Sequence, residues 1–226
     1  MISNDPIIFF TLEIQAKQFY GFQLQYIREL QMKITEKFKR KLAVLFAIHE
    51  KPVSSFLKTV KGRVFVDIGA NYGYYPMLLH RNFDKIYAFE PIPSIFKELK
   101  GNLEKFDNVE CVMKAVSNVG GQLVELAYHD SHGFAETVTL ASYFPNMGID
   151  LIKVDAEGEE WEVLEGAESM LERIKSWVVE LHDPIRKEEL ENWFVSRGYS
   201  VRWLDFAFRG SQTANHIHAW RDSSEV

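Results

Sequence analysis

The chain has 226 residues, 46% of them apolar, and a net charge of −6, enough for one well-buried domain plus an extension. Seven prolines and thirteen glycines exclude a fibrous or disordered chain, and the longest unbroken apolar run, Leu42 to Ile48, is far too short to span a bilayer. The single cysteine, Cys111, excludes an internal disulfide and a thiolate zinc cluster, which fits a reducing cytoplasm.

Asp5 ahead of IIFF, with no basic segment before it, argues against a signal peptide. Asp5-Pro6 reads as a helix start, and Ile27, Leu30, Ile34, Phe38, Leu42 and Leu45 step by three or four along one helical stripe. Gly21 divides this helix from an earlier one, and Pro52 is read as the end of the region. Residues 1–60 are expected to form a helical cap packed on, or swapped between, copies of the domain at 61–226. Plain packing is the favoured role, and a homodimer through these helices is one assembly it allows. These residues hold nine Lys/Arg and five Asp/Glu, leaving 17 against 27 in the rest. KFKRK, Lys37 to Lys41, is the one basic run and reads as a solvated helix face. The overall acidity argues against a nucleic-acid partner.

From Arg63 the pattern changes to short β-rich runs: RVFVDI, KIYAFE, NVECVM, IDLIKVD, SWVVELH, YSVRWLDF and HIHAW. Amphipathic segments lie between them, among them SIFKELKGNLEKF, EEWEVLEGAESMLER and RKEELENWFVSRG. Buried strands flanked by helices predict a mainly parallel sheet covered on both faces. GGQLVELAYHD reads as an extra short strand after the third. The last two strands are too close for a crossover helix and are expected to pair antiparallel at one side of the sheet.

The first strand runs into Asp67-Ile-Gly69-Ala70-Asn71-Tyr-Gly73. Such glycines permit a tight turn and let a ligand approach backbone N–H groups. A dinucleotide fingerprint needs Gly-x-Gly-x-x-Gly, which is absent here. Asp67 would repel a pyrophosphate but suits the ammonium of a bound amino acid, which favours S-adenosylmethionine over NAD. Glu90 ends the second strand, about where an acidic residue meets ribose hydroxyls. Pro91 and Ile92 would flank the adenine, with Ala115, Val116 and Ser117 as its other wall.

VFVDIGANYGYY, IYAFEPIP, KAVSN, IDLIKVDAEGEEWEVLEGA and VVELH, taken in order, resemble the FkbM family of S-adenosylmethionine-dependent methyltransferases. The match runs from about Arg63 to His182 and leaves residues 1–60 uncovered. The resemblance implies a Rossmann-like class I methyltransferase fold with a seven-stranded sheet. It also implies O-methylation, often of sugar or natural-product hydroxyls.

Ligands of open α/β sheets bind outside the carboxyl ends of the strands. Asp155 ends the fourth strand with Glu157 just beyond, and His182 ends the fifth. An antiparallel last strand would bring His216, and with it His218, to the same rim. Asp155, Glu157, His182 and His216 are therefore the candidate catalytic residues. His182 or Asp155 would be the base and Glu157 would help to place it, while Asp155 also touches the cofactor. Lys153 either packs into the sheet or pairs with a carboxylate. The same four residues are donors that suit a divalent ion, but no local pair such as His-x3-His supports one, and no metal is assigned. The tryptophans Trp161, Trp177, Trp193, Trp203 and Trp220 read as core packing rather than a sugar platform, with Trp203 and Trp220 of the terminal hairpin left open as exceptions. The loop around Arg209 and Gln212 is a candidate acceptor contact.

The favoured reading is O-methylation of a small-molecule or glycan hydroxyl. The alternatives are RNA ribose 2′-O-methylation and a non-catalytic S-adenosylmethionine-binding protein.

Overall fold

A computed structural model describes residues 51–128, 131–204, 207–208, 211–212 and 215–221. The N-terminal helical stripe, the KFKRK run, Arg209 and the side chain of Gln212 lie outside the described residues. Pro52 does not end a helix but stands in the first turn of one, Lys51–Leu57, where its missing N–H is no loss.

Seven strands build the main sheet: β1 (Gly62–Ile68), β2 (Phe83–Phe89), β3 (Val109–Val112), β7 (Leu151–Val154), β8 (Ser176–Glu180), β9 (Ser200–Leu204) and β12 (His216–Trp220). Their spatial order is β3-β2-β1-β7-β8-β12-β9. The neighbours from β3 to β8 pair in parallel. β12 is antiparallel to both β8 and β9, so it alone reverses direction. The expected terminal hairpin is therefore present, with its last strand inserted between β8 and the edge strand β9. This is the α/β architecture that the alternating runs predict.

Alternation along the strands divides the core into two layers. Val66, Ile68, Ile152, Val154, Trp177, Val179, Ile217 and Ala219 belong to one. Helices Glu160–Glu165 and Lys187–Val195 contribute Val163, Leu164, Leu190 and Phe194 to it. Phe65, Ile86, Leu151 and Val178 face the other layer, with Val53 and Leu57 of the first helix and Tyr75 and Leu79 of helix Tyr74–Leu79. Each such fully buried side chain contributes about 1.5–3 kcal/mol. Trp177 is fully buried, as its reading as core requires. Helix Pro93–Leu103 covers the β2 side through Leu99 and Leu103.

A second, three-stranded sheet joins β4 (Ala115–Val116), β6 (Ser131–Val138) and β5 (Leu123–Tyr128) in that order. The sequence signals β5 but not its antiparallel partner β6. A two-residue pair, β10 (Ala207–Phe208) and β11 (Ser211–Gln212), lies between β9 and β12. The amphipathic stretch after Glu159 is not one helix. It stops at Gly166 and resumes as a 3-10 turn at Glu168–Arg173. A Cβ on Gly166 would stand 2.2 Å from the Ser117 carbonyl oxygen, so the chain must carry glycine at that crossing.

Candidate active site

The glycine turn after β1 is fixed by close approach. Gly69 has φ +75°, and a Cβ there would lie 1.8 Å from the Asp155 carbonyl oxygen. The turns leaving β1 and β7 therefore touch backbone to backbone, and Asp155 N–H donates to Ile68 O at 3.0 Å. Asn71 also has positive φ, 50°, a region its side chain type tolerates. Gly73 caps helix Tyr74–Leu79 in a left-handed conformation.

Glu90, 5% exposed, closes this turn. Its Oε2 accepts the Asn71 N–H at 3.0 Å and its Oε1 accepts the Ile92 N–H at 2.9 Å. Burial holds its carboxyl above the usual range, and the two N–H donors pull the other way. Each oxygen keeps a further lone pair for a hydroxyl donor.

A cleft opens above these residues. Of the expected cofactor residues, Gly69, Asn71, Glu90, Pro91, Ile92, Ala115, Val116 and Asp155 line it. Asp67 and Ala70 are buried and, with Gly73 and Ser117, fall outside the lining. Asp67 instead sits opposite Lys153 in the β1–β7 register. Lys114, Leu126, Ala127 and Glu159 are also on the cleft and were not foreseen. Leu126 and Ala127 arrive on β5, a placement that depends on the unrecognised hairpin. Ile68, Phe89 and Ile95 make its floor apolar. An apolar slot beside a buried carboxylate at a glycine turn suits an adenine and its ribose. The residues present fit S-adenosylmethionine.

Two residues of the cleft lining, Asp155 and Glu157, are brought together with His182. One donor atom from each lies within 4.8 Å of the others. His182 Nε2 is 3.8 Å from Asp155 Oδ1 and 3.3 Å from Glu157 Oε2. Its Nδ1 is 2.8 Å from Oε1 of Glu160, a carboxylate only 2% exposed. Glu160 Oε1 also accepts the Gly158 N–H at 2.9 Å. Positive φ at Glu157 (53°) and Gly158 (108°) turns the chain back so that both glutamates reach the histidine.

The electrostatics follow from this crowding. The Glu160 hydrogen bond, opposed by burial and aided by the charges of Glu160, Glu180 and Asp155, pushes His182 up to about 9. The ring is therefore a cation at neutral pH. Burial, reinforced by Asp155 and opposed by His182, raises Glu157. Burial works against charge on Glu160 too, yet the His182 bond and the Gly158 N–H hold it low. Lys153, 1% exposed, pairs with Asp155 Oδ2 at 3.1 Å and lies 4.8 Å from the centre of the Tyr75 ring.

The other histidines stand apart from this trio. His216 is opposite Glu180 in the β8–β12 register, with its Nε2 3.3 Å from Glu180 Oε2 and its Nδ1 beside Asn215 Oδ1. Glu180 separates it from the Asp155 group. His218, expected at the same rim, lies two residues further along β12. There it meets Ser176 Oγ at 3.0 Å and packs between Phe56 and Trp220. Glu160, the residue that orients His182, was missed. DAEGEE offers several carboxylates in a row, and spacing alone does not say which one turns inward.

A parallel sheet with one reversed strand, a glycine turn and a strand-end carboxylate at its carboxyl edge define a class I methyltransferase domain. The methyltransferase FkbM domain matches residues 67–201, more than half of the chain. The chain belongs to the FkbM methyltransferase family, whose cofactor is S-adenosylmethionine.

Solved structures share the fold at low sequence identity. An rRNA methylase from Streptococcus thermophilus superposes with a TM-score of 0.53 at 12% identity, covering 76% of this chain and 98% of that one. A putative tRNA methyltransferase of Streptococcus pneumoniae, in complex with S-adenosyl-L-methionine, gives 0.52 at 14%, covering 77% and 72%. TrmK of M. capricolum, in complex with S-adenosyl-homocysteine, gives 0.50 at 16%, covering 76% and 70%. No curated protein sequence matches the chain. Among the described residues no helix is long and apolar enough to cross a membrane.

Proposed function

We propose that the protein transfers the methyl group of S-adenosylmethionine to a hydroxyl of a small molecule or glycan. The observation that carries this reading is one cleft lined both by Glu90 with its apolar neighbours and by Asp155 with Glu157. In this reading Glu90 accepts hydrogen bonds from the ribose diol, while Pro91, Ile92, Ala115 and Val116 flank the adenine. The cofactor supplies an electrophilic methyl on a sulfonium, whose C–S bond breaks as the new O–C bond forms.

What the protein must add is alignment and a place for the hydroxyl proton. A histidine already protonated at neutral pH is a poor base, so the proton goes to a carboxylate. Glu157, whose proton affinity burial raises, is the suited acceptor. Asp155, held from behind by Lys153, orients the hydroxyl. The His182 cation balances the two negative charges. His216, beyond Glu180, acts on this group only through that carboxylate.

RNA is the second acceptor considered, because two of the superposed proteins are named as acting on rRNA and tRNA. The excess of acidic residues after position 60 disfavours it. The test uses methyl-labelled cofactor with a panel of sugars, hydroxylated small molecules and RNA. Label on a hydroxyl of a small acceptor, lost in Glu157→Gln while cofactor binding persists, is the expected result. Label found in RNA alone, with a rate falling steeply with salt, would replace this reading with the RNA one.

A further inference from the structure

We infer that Asp155, Glu157 and His182 form a binding site for one divalent cation of the Mn2+ kind. The acceptor would chelate this cation through two neighbouring oxygens. The inference rests on the hydroxyl-methylation reading for the acceptor, but the cation site itself does not depend on it.

The geometry is close to a coordination sphere. Cis donors of a six-coordinate ion at about 2.1–2.2 Å stand roughly 3 Å apart. His182 Nε2 lies 3.3 Å from Glu157 Oε2 and 3.8 Å from Asp155 Oδ1, and all three donor atoms fall within 4.8 Å of one another. A contraction of under about 1 Å in the two His182 pairs and of at most about 1.8 Å between Asp155 and Glu157 would close the sphere around an ion.

Each donor is also held from behind. Asp155 gives its second oxygen to the buried Lys153, which leaves Oδ1 for the ion. His182 is fixed through Nδ1 by the buried Glu160, the carboxylate–imidazole pairing that orients histidine ligands and directs Nε2 outward. That nitrogen stands between Asp155 and Glu157, and a dication binding there displaces its proton and takes over the positive charge that the imidazolium supplies in the metal-free protein. Four carboxylates, Asp155, Glu157, Glu160 and Glu180, meet here, and Glu180 and Asp155 both act on the histidine. Lys153 pairs with Asp155, and a dication would add to the positive charge that faces the four carboxylates.

The donor set selects the ion class. Two carboxylates and one imidazole, with no thiolate, suit a hard to borderline divalent ion such as Mn2+ and disfavour a soft one. Cys111 lies on β3, with two strands between it and β7. Three protein donors leave about three of six positions open. Asp155 and Glu157 line the cleft, so these positions face into it. They fit a vicinal diol or a hydroxyl beside a carboxylate, and coordination would ease loss of the hydroxyl proton. Sequence spacing concealed the site because its ligands come from the ends of two strands and from a left-handed turn.

The test titrates MnCl2 into the full-length protein saturated with S-adenosylhomocysteine, following free Mn2+ by electron paramagnetic resonance. Calorimetry of S-adenosylhomocysteine binding runs in parallel. One saturable Mn2+ per chain is expected, weakened about tenfold or more in His182→Ala and in Glu157→Gln. S-adenosylhomocysteine affinity should stay within about twofold in both variants, which also reports that they are folded. Absence of saturable Mn2+ binding by a protein that binds S-adenosylhomocysteine would overturn the cation site and leave the methyltransferase reading intact. Mn2+ binding indifferent to both substitutions would overturn its location. Failure to bind S-adenosylhomocysteine, with Mn2+ bound as expected, would instead count against the cofactor cleft.

Discussion

Replacing Gly69 by alanine tests the contact on which the cleft is built. The substitution carries two separable costs. An L residue at φ +75° costs about 1–2 kcal/mol. The new Cβ would also stand 1.8 Å from the Asp155 carbonyl oxygen and 2.9 Å from its carbon. Relief to ordinary contact needs a shift of roughly 1.5 Å or more in a backbone tied to Ile68 by a 3.0 Å hydrogen bond. Together these give a loss of about 3–5 kcal/mol.

Gly121 provides the control for the first cost. It has φ +80°, with nothing within 4 Å of a Cβ, so Gly121→Ala should lose only about 1–2 kcal/mol. Gly101 lies in helix Pro93–Leu103 with open space beside it, and Gly101→Ala should gain about 0.5–1 kcal/mol. At about 2–4 °C per kcal/mol for a chain of this size, thermal unfolding should rank the three widely apart. Calorimetry should find S-adenosylhomocysteine binding weakened in Gly69→Ala alone. If Gly69→Ala melts no lower than Gly121→Ala, the backbone contact between the β1 and β7 turns is wrong, and so is the cleft drawn from it.

Two further substitutions probe stability against pH. Asp150 Oδ2 accepts the N–H groups of Arg63 and Val64 at 2.7 and 3.0 Å, and its Oδ1 takes Lys175 Nζ at 2.6 Å. Burial opposes its charge, but Lys175 and the two N–H donors hold it below 3.8. Its contribution is thus full above that value and lost as pH falls through the lower folded one. Asp150→Asn should cost about 1.5–3 kcal/mol at pH 7 in urea unfolding, and an equal cost at pH 2 would contradict the assignment. His218 is pushed down to about 4 by burial, with the Arg202 charge adding to it; Ser176, Phe56 and Trp220 are its other neighbours. The folded state keeps it neutral, so its contribution is full above about pH 6.5 and declines toward pH 4, by at most about 3 kcal/mol. His218→Phe should flatten the stability profile between pH 7 and pH 4.5, and an unchanged slope would show that another group titrates there.

The main sheet was legible in the sequence because each of its seven strands is a short apolar run between helical stretches. RVFVDI became β1 and HIHAW became β12 with little change of bounds. The hairpin partner β6 was not legible. SHGFAETV does not alternate polar with apolar, since Phe134 is exposed and Thr137 buried, so its strand character depends on pairing with β5. The break at Gly166 was hidden for a related reason, since the apolar period continues across it. Only the approach of the Ser117 carbonyl, from a distant part of the chain, requires the stop.

Within the site, Gly69 and Glu90 follow from local rules about turns and strand ends. The grouping of Asp155 with His182 follows from topology. Neither the orienting role of Glu160 nor the withdrawal of His216 to Glu180 could be read. Each is decided by which way one side chain turns at a strand end or turn. The inward placement of Asp67 away from the cleft belongs with these, because strand parity fixes it only once the register with Lys153 is known.

The measurement that bears most directly on the account is calorimetric titration of S-adenosylmethionine, S-adenosylhomocysteine and NAD into the wild type and Glu90→Ala. The account predicts binding of both sulfur cofactors on the order of micromolar, weakened about tenfold or more in a variant that still melts cooperatively, and no binding of NAD. Binding undiminished by the loss of Glu90, or no binding of either sulfur cofactor, would contradict it.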